Sequence, residues 1–260
     1  MYLVEYSHKR FFGGEIMSQG IYIALSGAKL QERRLELLSN NLANATTTGY
    51  KTDNLSAASF EFMLNAAITD DGNVYNGTYT KTRLISTDFS PGHIKNTGSP
   101  LNLALDGPGF FIIETPAGER YTRQGNFALN NDGELVTADG HKVKGSKISG
   151  LGNGNINIDE EGNVYLDGLK KGSIDIVEFT DTSILQKEGH NLFFKTRDEA
   201  LDQKPENTSV KQGFLEMSNV NVVTEMVDMV EVNRLYDAFQ KMIRTIDESS
   251  SKAINELVSV

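Results

Sequence analysis

The side chains that could support catalysis or metal binding are few and poorly spaced for it. The chain has four histidines and no cysteine, so thiolate metal sites, disulfides and cysteine nucleophiles are excluded. His93, His141 and His190 fall in turn-rich segments. None of them has the HExxH or i,i+4 spacing that places two imidazoles beside one metal ion. We interpret these histidines as surface or turn residues.

Two glycine-containing stretches resemble ligand loops only superficially. NNDGELVTADG (130–140) lacks the ladder of alternating acidic residues that a calcium loop needs. GLGNG (150–154) is not followed by Lys-Ser/Thr, so it is not a phosphate-binding loop. The sequence therefore predicts no enzyme, no cofactor and no metal site.

The composition indicates a folded protein with a substantial core. Of the 260 residues, 38% are hydrophobic and 23% are charged, which separates the chain from disordered sequences. The net charge of −10 argues against binding to nucleic acid, which requires a basic surface. No apolar run is long enough to span a membrane, so no membrane insertion is expected. We interpret residues 1–16 as an extension of doubtful origin, because Met17 is an equally good start.

The middle of the chain has the pattern of short strands joined by tight turns. Runs such as FFIIE (110–114) and NVYLD (163–167) alternate with Asn-Asp-Gly clusters. Glycine readily adopts positive φ between short strands, which is typical of hairpins. We predict an irregular, sandwich-like all-β domain at residues 84–215, preceded by a linker or extended segment at residues 51–83.

The heptad pattern of the N-terminal part predicts a helix over residues 17–50, with an apolar stripe along one side. Seven of the eight residues at the a and d positions of a heptad repeat are apolar, and Gln31 is the exception. These positions are Ile21, Ala24, Ala28, Gln31, Leu35, Leu38, Leu42 and Ala45.

The C-terminal part, residues 216–260, predicts a second heptad helix, with Asn221 as a plausible N-cap. Ten of its twelve a and d positions are apolar. The a positions are Val222, Met229, Tyr236, Ile243, Ser250 and Leu257, and the d positions are Glu225, Val232, Phe239, Ile246, Ala253 and Val260.

Such long apolar stripes require partner helices. A 40-residue helix is roughly 60 Å long, so one β domain cannot cover it. We therefore predict a mixed fold. A central all-β domain is flanked by N- and C-terminal heptad helices that pair with each other as a coiled coil, and the remaining apolar surface of the helices contacts neighbouring copies. In that arrangement Leu35, Leu38 and Leu42 would face Met229, Tyr236 and Ile243, or their equivalents in adjacent subunits.

The stretch SNNLANATTTGYK (39–51) is the most unusual polar segment. We expect Asn40, Asn41 and Asn44 to hydrogen-bond across the helix seam to backbone or to neighbouring subunits. The alternative is that they merely fray the end of the helix. Gly49 is predicted to adopt the left-handed conformation that ends a helix, and Tyr50 to anchor the exit on an apolar surface.

Four stretches together resemble the flagellar basal-body rod and hook family. SNNLANATTTGYK resembles its N-terminal signature, and EMSNVNVVTEMVDMVEVNRLYDAFQKMI (216–243) its C-terminal one, which includes Asn219, Asn221, Arg234 and Tyr236. PLNLALDGPGFFII (100–113) and ERYTRQGNFALNNDGELVTADGHKVKG (119–145) resemble the shared β core.

The resemblance implies a structural subunit of the flagellar axial structure. Its partners would be itself, other rod subunits and the flagellar type III export apparatus, through which it would pass without a cleaved signal. It would polymerise in the periplasmic part of the basal body and transmit torque. Residues 233–257 and the chain length are most similar to the proximal rod protein of the F type. The distal rod protein is the alternative within the family, and a secreted β-domain binding module is the alternative outside it.

Overall fold

The computed structural model describes residues 2–55, 85–146, 155–197, 202–203, 205 and 207–258. It contains two compact units. We call the first, Met1–Leu42 with Asp53–Ser86 and Val222–Val260, the helical unit. The second, Ala43–Thr52 with Thr87–Asn221, is the β unit. Most of the predicted linker at residues 51–83 lies outside the described residues.

The described residues of the helical unit form two long helices and a short strand pair. Helix α1 spans Tyr2–Ala43 and helix α2 spans Val222–Val258. Strands β1 (Asp53–Leu55) and β2 (Ile85–Thr87) pair in a two-stranded sheet, whose last residue already belongs to the β unit. Helix α2 begins directly after Asn221, the predicted N-cap residue.

Helix α1 ends earlier than its heptad pattern predicts, so Ala45 does not continue it. The Thr47 amide donates to the Asn44 carbonyl over 3.1 Å, and the Thr47 hydroxyl bonds the Asn44 side chain over 3.2 Å. Asparagine and threonine disfavour continuation of the helix because their short polar side chains form hydrogen bonds with nearby groups, which replace helical hydrogen bonds. Gly49 has the predicted positive φ, +67°, but it lies six residues beyond the helix end and does not terminate it.

The β unit is built from short strands, and one 3₁₀ turn spans Thr182–Ile184. Its strands are β3 (Ile94–Asn96), β4 (Leu103–Asp106), β5 (Phe110–Thr115), β6 (Gly118–Thr122), β7 (Ala128–Leu129), β8 (Leu135–Val136), β9 (Lys142–Val143), β10 (Ile156–Ile158), β11 (Asn163–Leu166), β12 (Leu169–Ser173), β13 (Ile176–Phe179), β14 (Leu185–Gly189), β15 (Leu192–Lys195), β16 (Asp202–Gln203), β17 (Ser209–Gln212) and β18 (Phe214–Glu216).

A nine-stranded sheet organises the β unit. Its main path is β14-β15-β6-β5-β9-β8-β7, and β13 joins β5 and β16 beside this path. Strands β10, β11 and β12 form a separate three-stranded sheet, while β17 pairs with β4 and β18 with β3. Every pairing in these sheets is antiparallel, which the hairpin turns of the sequence predict.

Strand β5 is buried on both faces. Phe111 and Ile113 belong to one apolar cluster, which also contains Val164 of β11. Phe110 and Ile112 belong to the other. Successive side chains of a strand point to opposite faces, so this one strand contributes to both cores, as its unbroken apolar run FFII indicates. The described chain is thus mostly β in its centre, with a helix toward each end, as predicted.

Candidate functional site

The end of the N-terminal signature is a built-in part of the β unit. We call residues 43–52 the strap. The Gly49 amide donates to the Glu216 carbonyl over 2.8 Å, and the Asn219 amide donates to the Tyr50 carbonyl over 3.4 Å. The Asp88 amide donates to the Thr52 carbonyl over 2.8 Å. The strap therefore joins the N-terminal signature to the start of the C-terminal one.

Gly49 allows the strap to approach this closely. A Cβ at this position would lie 2.4 Å from the Gln124 nitrogen and 2.5 Å from the Arg123 carbonyl carbon. Both neighbours are backbone atoms, which cannot move aside as a side chain can. Together with the positive φ, this contact means that no residue other than glycine fits without displacing the strap.

A buried charge cluster lies beneath the strap. Lys51 Nζ is 2.6 Å from one Glu216 carboxylate oxygen, and Arg123 Nη1 is 3.2 Å from the other. The Lys51 and Glu216 side chains are each only 1% exposed. Lys51 also donates to the Ser90 carbonyl, and the Gly92 amide donates to Glu216. One carboxylate thus compensates two buried cations and accepts a backbone hydrogen bond.

Backbone carbonyls hold the Arg123 guanidinium in place. Its Nη2 donates to the Gly107 carbonyl over 2.7 Å, and its Nη1 lies 3.4 Å from the Leu105 carbonyl. Within the described part of the chain, Arg123 Nε is the one buried side-chain polar atom without a hydrogen-bond partner. Burial lowers the pKa of both Lys51 and Arg123, and the Glu216 carboxylate opposes this effect at both sites.

Polar side chains complete the junction around Asn219. Its carbonyl oxygen accepts from the Thr52 amide over 2.8 Å and from the Thr52 hydroxyl over 2.6 Å. Its amide nitrogen donates to the carbonyls of Asp88 and Ser90 over 2.9 and 3.2 Å. One asparagine from the C-terminal signature therefore binds the strap and the segment that follows β2.

Tyr50 is held inside the β unit rather than presented to solvent. It is 4% exposed, and Lys187 Nζ of β14 lies 4.1 Å from the centre of its ring, at cation–π distance. The same ammonium donates to the Lys51 carbonyl. The Asn191 side chain donates to the Thr48 carbonyl over 3.3 Å. The β14–β15 hairpin thus contacts the strap at Thr48, Tyr50 and Lys51.

Helices α1 and α2 contact each other in opposite directions along the helical unit. A Cβ at Gly20 would lie 3.5 Å from Ile246 Cδ1, and one at Gly27 would lie 2.4 Å from the Phe239 ring. The step is seven residues on each helix. Fourteen residues later on α1 and fourteen earlier on α2, the Asn41 side-chain Nδ2 donates to a Glu225 carboxylate oxygen over 3.3 Å. Equal steps in opposite directions define one antiparallel register.

Asn41 also fixes the exit of α1. It is 1% exposed; its Nδ2 donates to the Asp53 carbonyl over 3.0 Å, and its Oδ1 accepts from the Asp53 amide over 3.1 Å. Glu225 is buried beside it. Desolvation raises the pKa of the Glu225 carboxyl, the Asn41 bond lowers it, and the nearby Asp228 charge raises it.

Burial along α2 follows the predicted heptad. Among its described a and d residues only Val222 is exposed; Glu225 and Val232 are buried and the rest are partly buried. On α1 the register places Gly20, Gly27 and Asn41 against α2, one residue before the predicted positions Ile21, Ala28 and Leu42. Small side chains permit this closer approach, which the apolar pattern alone did not indicate.

The predicted assembly residues occupy different environments. The partly buried ones are Leu35, Leu38, Leu42, Asn44, Asn219, Met229, Tyr236 and Ile243; Asn41, Gly49 and Tyr50 are buried; Asn40, Asn221 and Arg234 are exposed. Their role in assembly stays a prediction. The sequence reasoning missed Lys51, Glu216 and Arg123, although Lys51 ends one quoted signature and Glu216 begins the other.

Neither a metal site nor a spanning helix is found in the described ranges. No group of three or more His, Asp or Glu side chains there is placed to hold a metal ion. No described helix has an apolar stretch long enough to cross a membrane.

Three family models match successive parts of the chain. Residues 21–51 match the flagella basal body rod protein model, and residues 104–176 match the flagellar hook protein FlgE/F/G D1 domain. Residues 211–256 match the flagellar basal body rod FlgEFG protein C-terminal model. The strap and the charge cluster therefore join segments that three models of one protein class cover.

Relatives extend the match to almost the whole chain. The chain is 33% identical over 250 residues to the flagellar basal-body rod protein FlgF of Caulobacter vibrioides, covering 93% of this chain and 98% of that protein. It is 34% identical over 268 residues to the flagellar basal-body rod protein FlgG of Bacillus subtilis, covering 92% and 99%.

The fold and these matches define a structural subunit of the flagellum rather than a member of an enzyme family. The chain belongs to the flagellar basal-body rod protein family.

Proposed function

We propose that the chain is a subunit of the proximal rod and that it polymerises through its terminal helices, paired as a coiled coil, into the shaft that transmits torque to hook and filament. The antiparallel register of α1 and α2, read from the Gly27–Phe239 and Asn41–Glu225 contacts, is the observation that carries the proposal. Closely packed helices shear poorly, which suits a shaft.

The apolar surface of the helices supports assembly with neighbours. Nine of the ten exposed large hydrophobic residues in the described chain lie on α1 or α2. Val223, Met226, Val227 and Val230 are 51–72% exposed and follow i, i+3, i+4, i+7 spacing. This spacing places the four side chains in one stripe on a face of α2 that is not covered by α1. Contiguous exposed apolar surface of this kind marks an interaction site.

The proximal assignment is the finer part of the proposal. FlgF relatives and FlgG relatives match at similar identity, 33% and 34% in the two cases above. The F type is favoured by the similarity of residues 233–257 and by the short stretch at residues 65–83, which lacks the pattern expected of the distal protein. The distal rod protein is the alternative.

Export and location follow from the same proposal. The chain would leave the cytoplasm through the flagellar type III apparatus without a cleaved signal and assemble in the periplasmic rod. Its partners would be copies of itself and other rod subunits, with neither nucleic acid nor membrane insertion involved.

A paired charge substitution tests assembly through the helices. Leu38→Asp with Ile243→Asp places carboxylates at partly buried helix positions, and we expect a folded β unit but no incorporation into rods. Ser39→Asp with Ser249→Asp adds the same charges at exposed positions and serves as the control. The measurement is the amount of chain in purified basal bodies. A Leu38/Ile243 variant that assembles like the control contradicts the proposal.

A strain that lacks the chain tests the choice between the two rod members. If the chain is the proximal subunit, basal bodies should lack the distal subunit, because growth stops before it is added. If the proximal subunits assemble normally and only later components are missing, the chain is the distal subunit. Quantifying the remaining rod subunits in purified basal bodies gives the answer.

A further inference from the structure

The strap contributes groups that the rest of the β unit cannot replace. It supplies the Lys51 ammonium, one of the two cations that face the Glu216 carboxylate. It also covers the Arg123–Gln124 backbone through Gly49. Removing the strap would leave a buried carboxylate with one cation fewer and would open the cluster to water. Buried charges are tolerated only when they are paired and hydrogen-bonded.

The cluster connects segments that are far apart in the sequence. Lys51 and Glu216 are separated by 165 residues, and Arg123 and Glu216 by 93. Arg123 directly follows β6, a strand in the middle of the nine-stranded sheet. Glu216 ends β18. The cluster therefore links the strap both to the end of β6 in the nine-stranded sheet and to β18, the last strand of the β unit.

We propose that the strap is a conditional part of the fold: the β unit reaches its stable state only when residues 43–52 dock. A partner that holds these residues in another conformation therefore keeps the entire β unit unfolded. The use of this device rests on the proposed function, because a chain exported through a narrow apparatus must stay unfolded while its N-terminal segment is engaged. The groups that such a partner must hold are three polar ones, the Thr48 and Thr52 hydroxyls and the Lys51 ammonium, and one aromatic ring, that of Tyr50.

Hydrogen exchange of the full chain distinguishes a conditional fold from a peripheral strap. Lys51→Met removes the strap cation while keeping its length. We expect the amides of β5, β6 and β11 to exchange faster by one common factor of at least about tenfold, since the whole unit opens together. Lys144→Met, at an exposed ion pair with Glu119, is the control and should change these rates by less than about twofold.

The contrary result is a local one. If only residues 43–52, 88–93 and 216–219 exchange faster while β5 and β6 stay within about twofold, the strap undocks by itself and the proposal is wrong. Should Lys51→Met not fold, Thr48→Val provides a milder perturbation. It removes a single hydroxyl bond to the Asn126 side chain, and the same distinction between common and local acceleration applies.

A bulky label imitates the partner directly. The chain has no cysteine, so Thr48→Cys can be labelled with fluorescein maleimide in denaturant and then diluted to refold. We expect the labelled chain to remain without protected β5 amides. Asn131→Cys, at an exposed turn, carries the same label as the control and should refold. Recovery of β5 protection in both labelled chains overturns the proposal.

These experiments use the purified full chain, so they do not depend on rod assembly. Absence of the chain from basal bodies would remove the proposed function and leave the result for the strap unchanged.

Discussion

The helical unit and the β unit differ in how completely they bury their large hydrophobic side chains. In the β unit two apolar clusters share strand β5, and Leu169 is its only exposed large hydrophobic residue among those described. In the helical unit the described a and d positions of α2 are largely covered, yet nine large hydrophobic residues of the two helices remain exposed.

The difference indicates what each unit requires from outside the chain. The β unit satisfies its buried charges internally, through Lys51, Arg123 and Glu216. In the helical unit the described parts of α1 and α2 contact each other and leave large hydrophobic residues exposed elsewhere, and a helix that is apolar beyond its seam needs further partners. We therefore expect substitutions in the β unit to affect folding of the isolated chain, and most substitutions on the helices to affect assembly.

Glu216→Ala should have the largest effect, because it leaves two buried cations without their carboxylate. Breaking a buried pair in this way costs about 3–5 kcal/mol. Glu119→Ala removes an exposed partner of Lys144 and should cost only about 0.5 kcal/mol. Urea denaturation of the β unit, followed by tyrosine fluorescence, measures both. Equal losses in the two variants would mean that the buried cluster is not a main determinant of stability.

Gly49→Ala should cause the second largest loss of unfolding free energy, for two reasons: the positive φ and the close approach of backbone atoms. Gly98→Ala separates these two causes. The two glycines have nearly equal φ, +67° and +68°. Alanine costs about 1–2 kcal/mol in this conformation at either site. At Gly98 a Cβ would meet nothing within 4 Å, whereas at Gly49 it would meet backbone at 2.4 Å. A clearly larger loss of unfolding free energy for Gly49→Ala is expected, and similar losses would show that the strap can shift.

Two glycines of α1 sharpen the comparison within the helical unit. Gly20→Ala should stabilise the helix by about 1 kcal/mol, because alanine has the higher propensity and its Cβ would make an ordinary contact. Gly27→Ala should instead destabilise the helix contact by about 1–3 kcal/mol through overpacking against Phe239.

Circular dichroism at 222 nm during thermal unfolding follows the two glycine variants. Phe239→Leu should partly rescue Gly27→Ala, since the smaller side chain leaves room for the new methyl group. Stabilisation by both alanine variants would contradict the observed register of α1 and α2.

Glu225→Gln should have the smallest effect, and that effect should depend on pH. Burial raises the pKa of Glu225 in the folded state. The folded chain then binds more protons than the unfolded chain between the ordinary glutamate value, about 4.3, and the raised value, so stability falls as pH rises through this window. Glu225→Gln should therefore stabilise the helical unit at pH 7.

The pH dependence itself is the measurement that checks Glu225. The difference between wild type and Glu225→Gln in helical melting temperature should vanish below about pH 4, where both side chains are uncharged. Glu248→Gln, at an exposed position on α2, is the control. A Glu225→Gln effect that is constant from pH 4 to pH 7 would exclude titration of the carboxylate as its cause.

Local patterns predicted much of the fold. FFIIE became the doubly buried strand β5, NVYLD became β11, and the start of α2 fell directly after Asn221. These features depend on periodicity, β-branched and aromatic composition, and turn residues, all of which act over a few residues. The end of α1 was predicted less well because threonine and asparagine hydrogen bonds compete with the helix at residues 44–48.

The candidate site was predicted only in part. The asparagines of SNNLANATTTGYK lie in and beside the strap, and the Asn41 side chain donates to the Asp53 carbonyl and to Glu225 of helix α2. Lys51 and Glu216 gave no signal of their own, since a single lysine and a single glutamate 165 residues apart are indistinguishable from surface charges in the sequence.

The sequence by itself determined the two heptad helices, the β centre and the family. Each of them depends on short patterns that can be recognised without knowing which residues are in contact. Only the tertiary structure decided which face of α1 contacts α2 and where helix α1 ends within the N-terminal signature. Close approach at Gly27 and burial of the Lys51 side chain against Glu216 are long-range outcomes of packing and desolvation, which no local pattern encodes.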